Sequence, residues 1–402
     1  MPYRKFRPLK QWGKYNTRLF RDFNRRINKI ESDVLQIDPE IKQMGIKIQN
    51  PLIPNFFEQF EKKDENFAFP KHLRKKAQEE HPLYKTQQCL LFEGTESLTD
   101  GIDQACSLIN SLEPSPIPNF VYSSIPKNFL PKDFENHIID SIMAGERYDP
   151  SLDKLPKKFD PILFWIGQIA YYGTTVLKRK CSFDDPISSI TPANLTIVNT
   201  PMVFRQQPHI VIQSEDLISP LATKKEILET KLKEIPNIFP ISPFIDLQRT
   251  NIYNDTAVVP GIVNDQKYAL NTILWAREQC QKYPWTSEEN AGNAICHCFG
   301  AALAQALRLT NLEFEKTELE EDKILKRPII TKAIQLVNGK MDFVIVQLNT
   351  LNLANSEGIK NLVWLDKACS LYKPKPMHQN LLNVEELNLE TAKKFVGLIL
   401  FK

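Results

Sequence analysis

Two hydrophobic periods alternate along most of the chain. From Ser97 to Leu112, Ile102, Ala105, Cys106 and Ile109 recur on one helical face, which predicts a helix. The run Gln87–Phe92 is short and apolar, as a strand would be. Helices are predicted over 132–144 and 160–178, the second apolar nearly all round and therefore buried. Leu195–Phe204 and His209–Gln213 alternate with a period of two, like the two strands of a hairpin. Thr223 and Glu226 have the spacing of a capping box and open a helix that must end before Pro236. The segment Phe239–Leu247 holds two prolines and is expected to run extended. Residues 264–281 and 288–309 both take the helical period, and the second is rich in alanine and other small residues.

The clearest local signal lies further on. Asn338-Gly339 separates two β-rich runs, Ile329–Val337 and Lys340–Asn349, which is the signature of a type I′ hairpin. Phe343–Val346 is apolar on both faces and predicts a central strand. Asn361–Asp366 adds a strand, and Glu385–Phe401 a last helix. No βαβ rhythm runs through these elements. The expected fold class is α+β, with mixed helices and antiparallel hairpins in a body at 81–402, read as one unit or as two subdomains divided near 182–194. A long basic N-terminal extension, residues 1–80, precedes it.

Composition adds little until it is resolved along the chain. The 402 residues carry 51 Lys and Arg against 48 Asp and Glu, a net +3. Hydrophobic residues at 42% and charged residues at 25% exclude wholesale disorder. Yet residues 1–30 hold ten cations: Arg4, Lys5, Arg7, Lys10, Lys14, Arg18, Arg21, Arg25, Arg26 and Lys29. Their only acid is Asp22, so this stretch carries +9 and residues 31–402 carry −6. Such an asymmetry points to a basic tail with an anionic partner. Trp12, Tyr15, Leu19, Phe23, Ile27 and Ile30 recur at steps of three and four, an apolar stripe fit to rest on protein. A retained RNA-binding arm, a targeting presequence and a membrane-surface helix all match this pattern. Further along, Phe56 and Phe57 stand as aromatic anchors in a proline-punctuated stretch. The cluster Arg74, Lys75 and Lys76 is a second cationic candidate.

Candidate chemistry is sparse. Thirteen glycines in 402 residues leave few places where backbone can approach a phosphate. Neither a Walker A loop nor Gly-x-Gly-x-x-Gly, Gly-x-Ser-x-Gly or His-Glu-x-x-His occurs. Gly167–Thr175 lacks the lysine and the spacing of a phosphate loop. Seven scattered cysteines do not make a disulfide framework and read as reduced thiols in an intracellular chain. The longest apolar run, Ile162–Tyr172, is too short to span a bilayer. Cys296-His297-Cys298 lacks the second ligand pair that zinc requires. A Cys–His nucleophile there would make the chain a soluble enzyme, and that alternative stays open at this point. Lys178-Arg179-Lys180 is expected to close an apolar helix, its cations facing the helix dipole. The polar residues of 347–350 and 355–361 suit either backbone satisfaction or a contact loop.

Several strings in register then carry a resemblance. His81–Lys85, Phe239–Leu247 with Asn251–Tyr253, Phe299–Ala306, and Val346–Thr350 through Glu357–Asp366 together resemble the family of mitochondrial large-ribosomal-subunit protein thirty-seven. The resemblance covers roughly residues 80–366. It implies a structural constituent of that subunit in the mitochondrial matrix, without catalytic residues, cofactor, metal or small-molecule substrate. It also implies two partners: large-subunit ribosomal RNA, and neighbouring mitoribosomal proteins including a paralogous one. Ribosomal proteins touch RNA chiefly through phosphates, which the cations of the arm would supply. A factor that visits the ribosome only during assembly would share the same features.

Overall fold

The computed structural model describes residues 89–146, 179–250, 268–277, 283–309, 324–373 and 386–402. In chain order the strands among them are β1 (Cys89–Phe92), β2 (Arg179–Phe183), β3 (Ile187–Thr191), β4 (Met202–Gln206), β5 (Ile210–Ser214), β6 (Gln248–Thr250), β7 (Ala269–Arg277), β8 (Ile324–Val337), β9 (Lys340–Thr350) and β10 (Leu362–Ser370). The helices are α1 (Gly101–Leu108), α2 (Asn119–Tyr122), α3 (Phe134–Glu146), α4 (Lys224–Glu229), α5 (Ser287–Leu309) and α6 (Leu389–Leu400). Helices and mixed sheets share the chain, so the class is α+β.

The hairpin β8–β9 forms where its turn residues place it. Asn338 and Gly339 both take positive φ, 48° and 75°, as a type I′ turn requires. Its register runs from Val337 opposite Lys340 to Ile329 opposite Leu348. This hairpin anchors a six-stranded sheet of order β10-β9-β8-β7-β5-β2, antiparallel except for the parallel pair β7–β8. A second sheet, β3-β4-β1-β6, has one parallel pair, β1–β4.

Between the sheets lies α5. Every residue from Asn290 to Leu307 is buried, so the helix needs small side chains on several faces at once. Gly292 meets the Gly101 carbonyl at the start of α1, and Gly300 meets the Phe204 Cβ of β4. The alternation of β9 shows how the larger sheet serves two cores. Val344, Val346 and Leu348 face the core that contains α5 and both sheets. Met341, Phe343 and Ile345 face the other core, which α6, α2 and α3 close.

Four expectations are corrected. Residues 264–281 do not form a helix: Ala269–Arg277 is strand β7, hydrogen-bonded on both sides to β5 and β8. A strand apolar on both faces lacks the alternation that would have marked it, and its partners are far away in sequence. The strands near 195–213 are not a hairpin, because β4 belongs to the smaller sheet and β5 to the larger. Leu195 itself closes a single 3₁₀ turn, Ala193–Leu195. The segment 239–247 does not run extended but is built of successive turns, with Ile241, Ile245 and Leu247 each donating to the carbonyl three residues back. Arg179 and Lys180 lie in β2 rather than at a helix end. The predicted helix at 97–112 is real but shorter, Gly101–Leu108.

Candidate functional site

The residues nominated for RNA lie outside the described residues: Arg4, Lys5, Arg7, Lys10, Lys14, Arg18, Arg21, Arg25, Arg26, Lys29, Arg74, Lys75 and Lys76. So do the protein-contact candidates Trp12, Tyr15, Leu19, Phe23, Phe56 and Phe57, the helix predicted at 160–178, and Gly167–Thr175. What remains is the body, and three places in it concentrate polar or unusual side chains.

Cys296-His297-Cys298 sits inside the buried stretch of α5. The Cys298 thiol points to the Thr331 carbonyl at 3.3 Å, and the Thr331 hydroxyl donates back to the Cys298 carbonyl at 2.9 Å, tying α5 to β8. Burial pushes the Cys298 thiol up to about 12 and the Cys296 thiol further still. His297 packs between the rings of Trp275 and Phe92, at 5.1 and 5.2 Å. Burial, with the Arg277 cation as a smaller cause, holds its imidazole down at about 3. Protonated thiols beside a neutral imidazole have the wrong charge states for a thiolate nucleophile. The loop before α1 uses the same close packing: a Cβ on Gly94, at φ +71°, would fall 2.2 Å from His297 Nε2. Among the described residues no group of three or more His, Cys, Asp or Glu could hold a metal ion. Nor is any helix among them long and apolar enough to cross a membrane.

The second place is the polar string that ends β9 and leads into β10, and its residues satisfy backbone groups, as one of its two readings required. Gln347 Oε1 accepts from the Leu221 and Ala222 amides at 2.9 and 3.0 Å. Asn361 Oδ1 accepts from the Asn349 and Thr350 amides, while its Nδ2 donates to the Ile109 carbonyl at 2.8 Å. Lys360 Nζ donates to the carbonyls of Thr230 and Gly358 at 3.0 and 3.1 Å. Buried polar groups with complete partners fix one geometry, and here they fasten β9, β10, α1 and the α4 region together.

The third place was not legible in the sequence. Helix α4 opens with the predicted capping box, Thr223 and Glu226 each bonding the other's amide. It buries Ile227 against Ala222 and Ile359, and runs into a 3₁₀ turn, Thr230–Leu232. Leu228 and Leu232 nevertheless point to solvent, 58% and 89% exposed, and Phe239 and Ile245 follow at 86% and 61%. Beside Leu232 opens a cleft of about 310 Å³ lined by Leu112, Glu113, Ser115, Lys233, Glu234, Leu362, Val363 and Trp364. A short amphipathic helix gives no reason to expect its apolar residues outside; only the tertiary docking of Ile227 turns them there.

No protein-family profile matches the chain. Curated homologues do exist. The chain is 26% identical over 358 residues to large ribosomal subunit protein mL37 of Bos taurus, covering 84% of this chain and 81% of that protein. It is 26% identical over 357 residues to the protein of that name from Gallus gallus, covering 84% and 80%. The protein of that name from Rattus norvegicus is also 26% identical, over 337 residues, covering 80% and 77%.

Proposed function

We propose that this chain, a homologue of large ribosomal subunit protein mL37, is a structural constituent of the large subunit of the mitochondrial ribosome and works in the matrix. The observation that carries this reading is a similarity that spans four-fifths of both chains, rather than one shared motif. The buried, protonated thiols of α5 accord with a protein that builds rather than catalyses.

The N-terminal arm supplies the RNA contact in this reading. Its +9 over thirty residues is separated from a body of −6, so the arm is the end that ribosomal RNA phosphates would attract. Its aromatic stripe rests on neighbouring protein, and a paralogous mitoribosomal protein is among the neighbours of the body. RNA binding by the full chain tests the arm. If it contacts Z phosphates, log K falls with log salt at about −0.7Z on single strands and about −0.9Z on duplex. Replacing the ten cations of residues 1–30 with glutamine should flatten that slope; an unchanged slope would move the interface elsewhere.

A further inference from the structure

Residues 111–117 run parallel to β10 and bridge to it at two points, Ser111 with Asn361 and Ser115 with Trp364. The Ser115 amide donates to the Val363 carbonyl at 3.0 Å, and its carbonyl accepts the Leu365 amide at 2.8 Å. Lys233 and Glu234 follow the 3₁₀ turn Thr230–Leu232, whose Thr230 hydroxyl accepts the Lys360 amide at 3.0 Å. These three tied-down stretches line the cleft of about 310 Å³, and Leu112, Leu362, Val363 and Trp364 make part of that lining apolar. A site already ordered loses little conformational entropy when a partner enters it.

The charges of the cleft favour a cation. Glu113 and Glu234 line it, and neither has an ion pair among the described residues. Lys233 lines it too, but its charge acts on Glu226, and the buried Lys360 faces Glu357. Beyond Glu113 the acids continue. Burial first, then Asp100, Glu113 and Glu288, hold the Asp103 carboxyl above its ordinary range. Lys367 opposes them there, and it is ion-paired with Glu288. Lys231, exposed in the 3₁₀ turn, offsets one of the four acids Glu113, Glu234, Asp100 and Asp103. Carboxylates that raise one another's proton affinity create a field that a cation relieves and a phosphate backbone meets with repulsion.

We propose that this cleft takes an arginine side chain from a basic segment of a neighbouring protein. The guanidinium lies against Trp364 and meets Glu113 and Glu234, while further cations of the same segment face Asp100 and Asp103. Arginine suits such a place better than lysine. Its planar head is weakly hydrated, stacks on aromatic rings and pairs with carboxylates through two parallel bonds. The inference goes beyond the ribosomal assignment and stands whichever particle the chain joins.

Photo-cross-linking tests it in the full chain, expressed in its own cells, with Lys231→benzoylphenylalanine beside the cleft. The same change at Lys340, exposed in the hairpin turn, is the control. The probe at position 231 should cross-link to one segment of one protein, with arginine or lysine within a few residues of the link. The yield should fall about tenfold or more in a Glu113→Lys, Glu234→Lys background, where like charges face each other. It should return when the arginine of the linked segment is replaced by glutamate. Both glutamates are exposed, and an unchanged urea midpoint shows that the reversed chain keeps its fold. The neutral pair Glu113→Gln, Glu234→Gln should lower the yield by a smaller factor. Cross-links to RNA, to acidic or scattered protein segments, a yield no higher than at Lys340, or a yield that neither pair of substitutions lowers would overturn the proposal.

Discussion

Lys332 and Arg179 come from strands with two others between them, yet both end on the carbonyls that close the C-terminal helix. Lys332 Nζ donates to the carbonyls of Leu398, Ile399 and Phe401, at 2.9, 3.3 and 2.7 Å. The Arg179 guanidinium donates to Ile399, Leu400 and Phe401. The last carbonyls of a helix have no partners within it and carry the negative end of its dipole. Two cations satisfy them here, under a sheet where water would otherwise be excluded. Burial holds the Lys332 ammonium well below its ordinary range and brings Arg179 down to about 10.

Lys332→Met should therefore cost more than its apolar surroundings suggest. The variant leaves the Leu398 carbonyl without its cation, at about 1–3 kcal/mol for a group left unsatisfied, while the Ile399 and Phe401 carbonyls keep Arg179. Release of a costly buried charge offsets part of this. A net loss of about 1–2 kcal/mol in urea unfolding is expected, with the C-terminal helix exchanging its amide hydrogens first.

Gly292→Ala inverts the usual rule for helices. In an exposed helix the change would stabilise by about 1 kcal/mol. At this crossing the new Cβ would lie 2.4 Å from the Gly101 carbonyl oxygen, a backbone atom that cannot swing aside. Overpacking of this kind costs about 1–3 kcal/mol. A lowered urea midpoint is the expected result; a raised one would mean that α1 and α5 are not packed this closely.

Acid should act on the body through two buried groups with opposite signs. His297 falls from an ordinary 6.5 to about 3 on folding. Between those values the unfolded chain binds a proton that the folded chain refuses, so acidification removes stability. Asp342 rises from 3.8 to about 6, chiefly because it is buried, while it accepts the Ala368 amide at 2.7 Å. In that window the folded chain binds the extra proton, so acidification adds stability. Relative to His297→Gln, the wild type should lose about 1.4 kcal/mol per pH unit from 6.5 toward 3. Relative to Asp342→Asn, it should gain at a similar rate from 6 toward 3.8. Unfolding at fixed pH values across this range reads both slopes.

Local chemistry made part of the fold legible and left the rest unreadable. The Asn338-Gly339 turn, the Thr223–Glu226 box and the alanine-rich period of α5 each carry their cause in adjacent residues. Strand β7 does not. Its two apolar faces are explained by β5 and β8, which lie some sixty residues away on either side, and a helical period fits the same residues almost as well. Lys332 and Arg179 look like surface cations until α6 ends beside them. The exposure of Leu228 and Leu232 depends on where Ile227 docks, which no local pattern encodes. The arm lies outside the described residues, and its proposed RNA contact rests on the charge arithmetic of the sequence.

The central claim is membership of a particle, and sedimentation measures it directly. Mitochondrial lysate separated on a gradient, with the large-subunit fractions re-run after a high-salt wash, should keep this chain in one-to-one proportion with other large-subunit proteins. A chain that stays near the top of the gradient, or leaves the subunit while its neighbours remain, would contradict the account.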